Sequence, residues 1–188
     1  MSTPDFVDVL DFWFGAPDSH ERGRPRKAWF QTSEPFDAEV RRRFLVTWEQ
    51  AARGELERWH GTPLASLALV VILDQFPRNM FRGTPRAFSS DSHALAAARN
   101  AIAREFDRLL SPVERWFVYL PFEHAEDLAA QRRSLALFEA LDRDDVEYAR
   151  RHYEIIARFG RFPHRNAILG RESTAEEAEF LKQPGSSF

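Results

Sequence analysis

The stretch TPLASLALVVIL, residues 62 to 73, constrains the fold more than any other part of the chain. Thr62 followed by Pro63 is a helix start. The threonine hydroxyl can accept from an orphan backbone N–H, and proline at the first helical position loses no hydrogen bond. The helix it opens, to about Phe76, is apolar nearly all round and offers no face suited to water. It is far shorter than the ~20 residues that cross a bilayer. Such a helix has to be surrounded by other elements, and it is expected to be the central buried one.

The other signals are helical too. Residues 4–14 put Phe6, Val9, Leu10 and Trp13 on one face before Gly15 and Pro17. Residues 16–35 read as a polar loop with a short aromatic anchor at Trp29 and Phe30. Residues 36–53 repeat Phe36, Val40, Phe44 and Trp48 at a spacing of four, and Gly54 ends them. The sequence SSDS caps a helix over 91–106. Ser111, Pro112 and Glu114 form a capping box for a helix to about residue 122. Further helices are expected over 125–141 and 145–159, and Ser173 with Glu176 opens the last one. Sustained period-two alternation and tight hairpin turns are lacking, so no strand is expected. Short connections predict a single all-α domain over residues 1–188. Its antiparallel helical hairpins would stack in a tetratricopeptide-like, α-solenoid-like arrangement.

Composition narrows the function. A chain of 188 residues can remove roughly 70% of its unfolded surface from water. Its 17 Phe and 5 Trp supply large side chains for that core. Without cysteine it has no disulfide and no thiolate metal site. The acidic N-terminal stretch lacks the basic region of a signal peptide, which points to the cytoplasm and not to a membrane. A net charge of −3 argues against nucleic acid as the main partner.

Within this acidic chain two short stretches are basic and alike. QFPRNMFRG begins at Gln75, and RFPHRNAILG begins at Arg161. Phe76, Pro77, Arg78, Asn79 and Gly83 match Phe162, Pro163, Arg165, Asn166 and Gly170, the second stretch having His164 in addition. Both are expected to be short turns that proline enters and glycine leaves in the left-handed region. They carry arginine and not lysine, and a planar guanidinium suits forked recognition of carboxylate or phosphate. Arg78, Asn79, Arg82, Arg161, His164, Arg165 and Asn166 are therefore candidate ligand-binding residues. The competing expectation is that the arginines pair with acids of neighbouring helices.

YLPFEHAED, residues 119–127, is the other cluster. Pro121 interrupts a helix, and Glu123 and Asp127 stand four apart with His124 beside them. Glu123, His124, Asp127 and His164 are candidates for acid–base chemistry, although neutralising the arginine stretches is the plainer role for the acids. One histidine among helical carboxylates is a poor metal site, so no metal or other cofactor is expected.

LDFWFG, LDQFPRNMFRGTPRAF, YLPFEHAED and RFGRFPHRNAILGRESTAEEAEFL together resemble the bacterial family called domain of unknown function 924. The resemblance runs from about Val9 to Phe188. It implies a tetratricopeptide-like all-α fold and brings no established activity, substrate or catalytic residue. The family commonly has serine where this chain has Ala125. Two functions follow as expectations. One is a module that binds an anionic small molecule or acidic peptide through two Arg-Asn turns lying on one face near Glu123, His124 and Asp127. The other is an enzyme that uses the histidine–carboxylate cluster on an anionic small molecule.

Overall fold

The computed structural model describes residues 4–29, 31–141 and 146–187. Phe30 and the expected helix start at residue 145 lie outside them. Every described element is helical, with no strand among the described residues, which makes the chain all-α. The described elements are α1 (Phe6–Phe14), α2 (Glu34–Ala52), α3 (Pro63–Met80), α4 (Asp91–Ala103), α5 (Pro112–His124), α6 (Leu128–Glu139), α7 (Val146–Phe159) and α8 (Ala175–Phe180), with short 3-10 turns between several of them. Consecutive helices pack on each other, α2 and α4 on α3, and α6 on α7. That pattern is compatible with stacked hairpins. No helix among the described residues is long and apolar enough to cross a membrane.

The described residues fall into two compact units, Met1–Arg82 with Arg86–Pro121, and Gly83–Pro85 with Phe122–Phe188. In the first unit α3 is the buried centre. Leu67, Ala68, Val70, Val71, Ile72 and Phe76 have no measurable exposure, whereas Leu64, at its start, is exposed. Each of the larger side chains contributes roughly 1.5–3 kcal/mol by leaving water. Aromatic rings fill the space against α3: Phe44 and Phe76 centroids are 4.9 Å apart, and Trp13 and Phe76 5.5 Å. The polar loop after α1 returns to cap that helix. Arg26 Nη1 donates to the Phe12 and Trp13 carbonyls at 2.6 and 2.7 Å, and Trp29 Nε1 donates to Trp13 at 2.9 Å. These supply donors that the last carbonyls of a helix otherwise lack.

The caps follow the sequence in two places and depart from it in two. Thr62 Oγ1 accepts from Ala65 N–H, and Ser111 with Glu114 forms the reciprocal box. Ser90 precedes α4 but does not cap it. Its hydroxyl donates to the Leu73 carbonyl at 2.6 Å and accepts from Trp48 Nε1 at 3.1 Å. The capping box of α8 is Thr174 with Glu177, one residue beyond the expected Ser173 and Glu176. In the second unit Ile155, Ile156 and Phe162 form a small core, with Leu128, Phe159 and Phe180 against it.

Candidate functional site

The first arginine stretch is not the expected proline-entered turn. Helix α3 continues through Pro77 to Met80, so Arg78 and Asn79 sit on its last turn. Gly83 does take the left-handed exit, at φ 74°. Arg78 donates to both oxygens of Asp91, at 2.8 and 3.0 Å, and lies 3.5 Å from the buried Asp74 carboxylate. Burial opposes its charge, but Asp74 and Asp91 outweigh that and raise its pKa. Asn79 donates to Asp37 at 2.7 Å, and Arg82 grips the same carboxylate with two bonds of 2.9 and 3.0 Å. All these partners belong to the first unit.

The second stretch is a turn as expected. Gly160, at φ 70°, stops α7, Phe162 is extended, and Pro163–Arg165 form a 3-10 turn that Gly170 leaves at φ 65°. Arg161 donates to both oxygens of Glu177, at 2.6 and 2.8 Å. That hydrogen-bonded pairing, opposed by burial and helped by the Thr174 N–H, holds the Glu177 carboxyl down at about 2. Asn166 Nδ2 reaches Ser173 Oγ at 3.1 Å and Glu177 at 3.3 Å. Glu126 accepts Phe162 N–H at 2.7 Å and two bonds from Arg171, at 2.6 and 2.9 Å. Burial works against its ionisation, yet these donors win and its pKa is lowered.

Asp127 leaves the expected acid cluster. No helix carries Glu123 and Asp127 on one face, because the chain breaks after His124 and Asp127 is the N-cap of α6, accepting from Ala130 N–H at 2.7 Å. The break is stabilised by the fully buried Gln131. Its Nε2 donates to the carbonyls of Glu123 and Ala125 at 2.6 and 2.8 Å, groups that a continuing helix would have paired internally.

His164 and Arg165 lie against Phe162, and Glu123 and His124 are linked to the same ring through His152. The ring of His124 is 6.5 Å from that of His152, which is 5.5 Å from Phe162. The ring of His164 is 5.6 Å from Phe162, and Arg165 Cζ lies 4.5 Å over the Phe162 face. Glu123 and Arg165 are buried, while His124 and His164 are partly open to solvent. His152 was not among the sequence candidates. It is buried on α7 beside Ala149, Ile155 and Ile156, with Nδ1 2.8 Å from the Tyr148 carbonyl and 3.5 Å from Glu123. A histidine at the i+3 position of an apolar stripe was its only sequence signal, and most such histidines simply pack. Burial above all lowers the pKa of His152 to about 3, with the Tyr148 carbonyl bond opposing and the Arg165 charge adding. Burial also lowers that of His164 to about 4, with Arg165 adding and Glu126 opposing. Both imidazoles are therefore neutral near pH 7. Among the described residues, no group of three histidine or acidic side chains could hold a metal ion.

The family model for bacterial proteins of unknown function, DUF924, matches residues 9–185. The chain belongs to this family. A solved protein of unknown function from Agrobacterium tumefaciens is 43% identical. The match covers 94% of this chain and 96% of that one, with a TM-score of 0.85. No curated protein matches. For DUF924 no chemistry comes with the match, so the candidate site rests on its own geometry.

Proposed function

We propose that this DUF924 protein is a binding module whose second unit takes a carboxylate or phosphate group, on a small molecule or an acidic peptide, at His124, His164 and Arg165. The observation that carries the reading is that His152, His164 and the buried guanidinium of Arg165 lie against one phenylalanine ring, with His124 and Glu123 beside His152. A core built for stability alone does better with apolar side chains, because buried polar groups cost free energy unless fully paired. In this reading Arg78, Asn79, Arg82, Arg161 and Asn166 are scaffold, since each is already held by an acidic side chain of its own unit. Arg165 supplies the charge, and the partly open His124 and His164 are the approach.

Electrostatics gives the reading a signature. His164 is neutral partly because Arg165 and Arg171 repel a proton from it. An anion bound there offsets that repulsion, so binding takes up a proton and tightens as pH falls from 7 toward the low pKa of the free site. Calorimetric titration with inorganic phosphate, repeated in buffers of different ionisation enthalpy, should show proton uptake at pH 6. Arg165→Lys should weaken binding roughly tenfold, since lysine lacks the fork. If no phosphorylated or carboxylated metabolite shifts the thermal melt at pH 6, the reading is wrong.

One contact favours a second reading. Glu123 lies 3.5 Å from His152 Nδ1, whose nearer partner is the Tyr148 carbonyl, so a carboxylate stands beside an imidazole that could act as a base. On that reading the module is an enzyme acting on an anionic small molecule. His152→Gln would then abolish turnover while leaving anion affinity intact.

A further inference from the structure

We infer that the first unit holds a separate site for a small alkyl amine, in a cavity bounded by the end of α2, the turn at Glu57–Gly61, α3 and α4. The half-open cavity has a volume of about 260 Å³ and lies wholly within that unit. Its floor is apolar: Leu56, Leu69, Leu73 and Ala97. Small residues create the space, because Ala51, Gly54 and Ala96 line it where larger side chains would fill it.

The rim is polar, and its side chains are not used by the protein. Arg78, Asn79 and Arg82 in the same unit are engaged internally. The side chains of Glu57, His60, His93 and Asn100 make no hydrogen bond or ion pair among the described residues. His60 Nδ1 is moreover buried and has no partner. Its backbone is fixed by Arg104, which donates to the His60 carbonyl. His60 thus lines the cavity with one ring nitrogen that no group among the described residues satisfies.

The chemistry of the lining selects the ligand. Among the described lining residues Glu57 is the only formally charged side chain, so the rim favours a cationic head over an anionic one. An ammonium donates three hydrogen bonds and accepts none, which suits Glu57 together with the acceptor atoms of His60, His93 and Asn100. The apolar floor then takes a short hydrocarbon tail. This preference is opposite in sign to that of the second unit, so the two sites are separable by ligand charge.

The test uses the full chain with hexylamine, hexanol and hexanoate as probes, binding being followed by titration calorimetry. Hexylamine is expected to bind roughly tenfold tighter than hexanoate. Glu57→Gln should remove that preference and leave hexanol binding unchanged. Ala96→Phe, on an exposed helical position, should abolish binding of all three while the circular dichroism spectrum stays native. The site is overturned if no probe binds, if hexanoate binds as tightly as hexylamine, or if Ala96→Phe leaves binding intact in a folded protein.

Discussion

The two Phe-Pro stretches share their residues and differ in shape. Around Pro77 the chain is the interior of α3, and around Pro163 it is a 3-10 turn after an extended residue. Two local facts account for the difference. Gly160, two residues before Phe162, adopts a left-handed conformation that ends α7, so the proline there begins something new. Asp74 and Gln75 precede Phe76, and nothing in them stops α3. A proline inside a helix leaves the carbonyl four residues earlier without its N–H donor. That carbonyl belongs to Leu73, and Ser90 Oγ donates to it at 2.6 Å. A proline motif is thus not a structure by itself. Its neighbours decide whether the helix has already ended, and a distant hydroxyl decides whether it can go on.

Three variants can break or sharpen this contrast. The largest effect is expected for Arg78→Ala, which leaves the fully buried Asp74 and the partly buried Asp91 without their guanidinium. Stability should fall by about 3–5 kcal/mol, read from denaturant melts. A loss below 1 kcal/mol would show that the helical continuation does not depend on this clasp.

Ser90→Ala comes next. It strips the donor from Leu73 and the acceptor from Trp48, both buried, and should cost about 2 kcal/mol. Its sharper use is a double-mutant cycle with Pro77→Ala. Alanine at 77 restores an N–H for the Leu73 carbonyl, so it should help more when Ser90 is absent, with a coupling of about 1 kcal/mol. Strict additivity would refute the account of how α3 passes through Pro77.

The smallest effect belongs to Gly160→Ala. No atom lies within 4 Å of the added Cβ, so crowding is not the cost. The left-handed backbone remains, and alanine there should lose about 1 kcal/mol. A gain in helix signal by circular dichroism would mean that glycine alone was stopping α7.

Much of the architecture could be read from residue patterns. The apolar run after Thr62-Pro63 has only one way to avoid water, and it lies buried at the centre of the first unit. Ser111 and Glu114 satisfy each other within one turn, so their box needed no tertiary help. The candidate site was less legible. Pattern spacing assumed a helix through Glu123 and Asp127, but Gln131 takes up the carbonyls at the break, and a partner eight residues away is not a periodic signal. His152 was not singled out because its polar surroundings, His124 and Glu123, come from another segment.

The start of α8 separates the two kinds of information most cleanly. The string RESTAEEAE contains Ser-x-x-Glu at 173 and Thr-x-x-Glu at 174, and both frames offer the same reciprocal hydrogen bonds. By itself the sequence determined that a capped helix begins here. It also determined that the chain is helical throughout its recognisable elements and that two short proline stretches are basic within an acidic chain. Only the tertiary structure chose Thr174. Glu177 is the acid that lies buried against Arg161 and Asn166, while Glu176 remains exposed and pairs with Arg158. The physical reason is that local bonds fix which caps are possible, whereas burial and long-range charge pairing, which no local spacing encodes, fix which one is used.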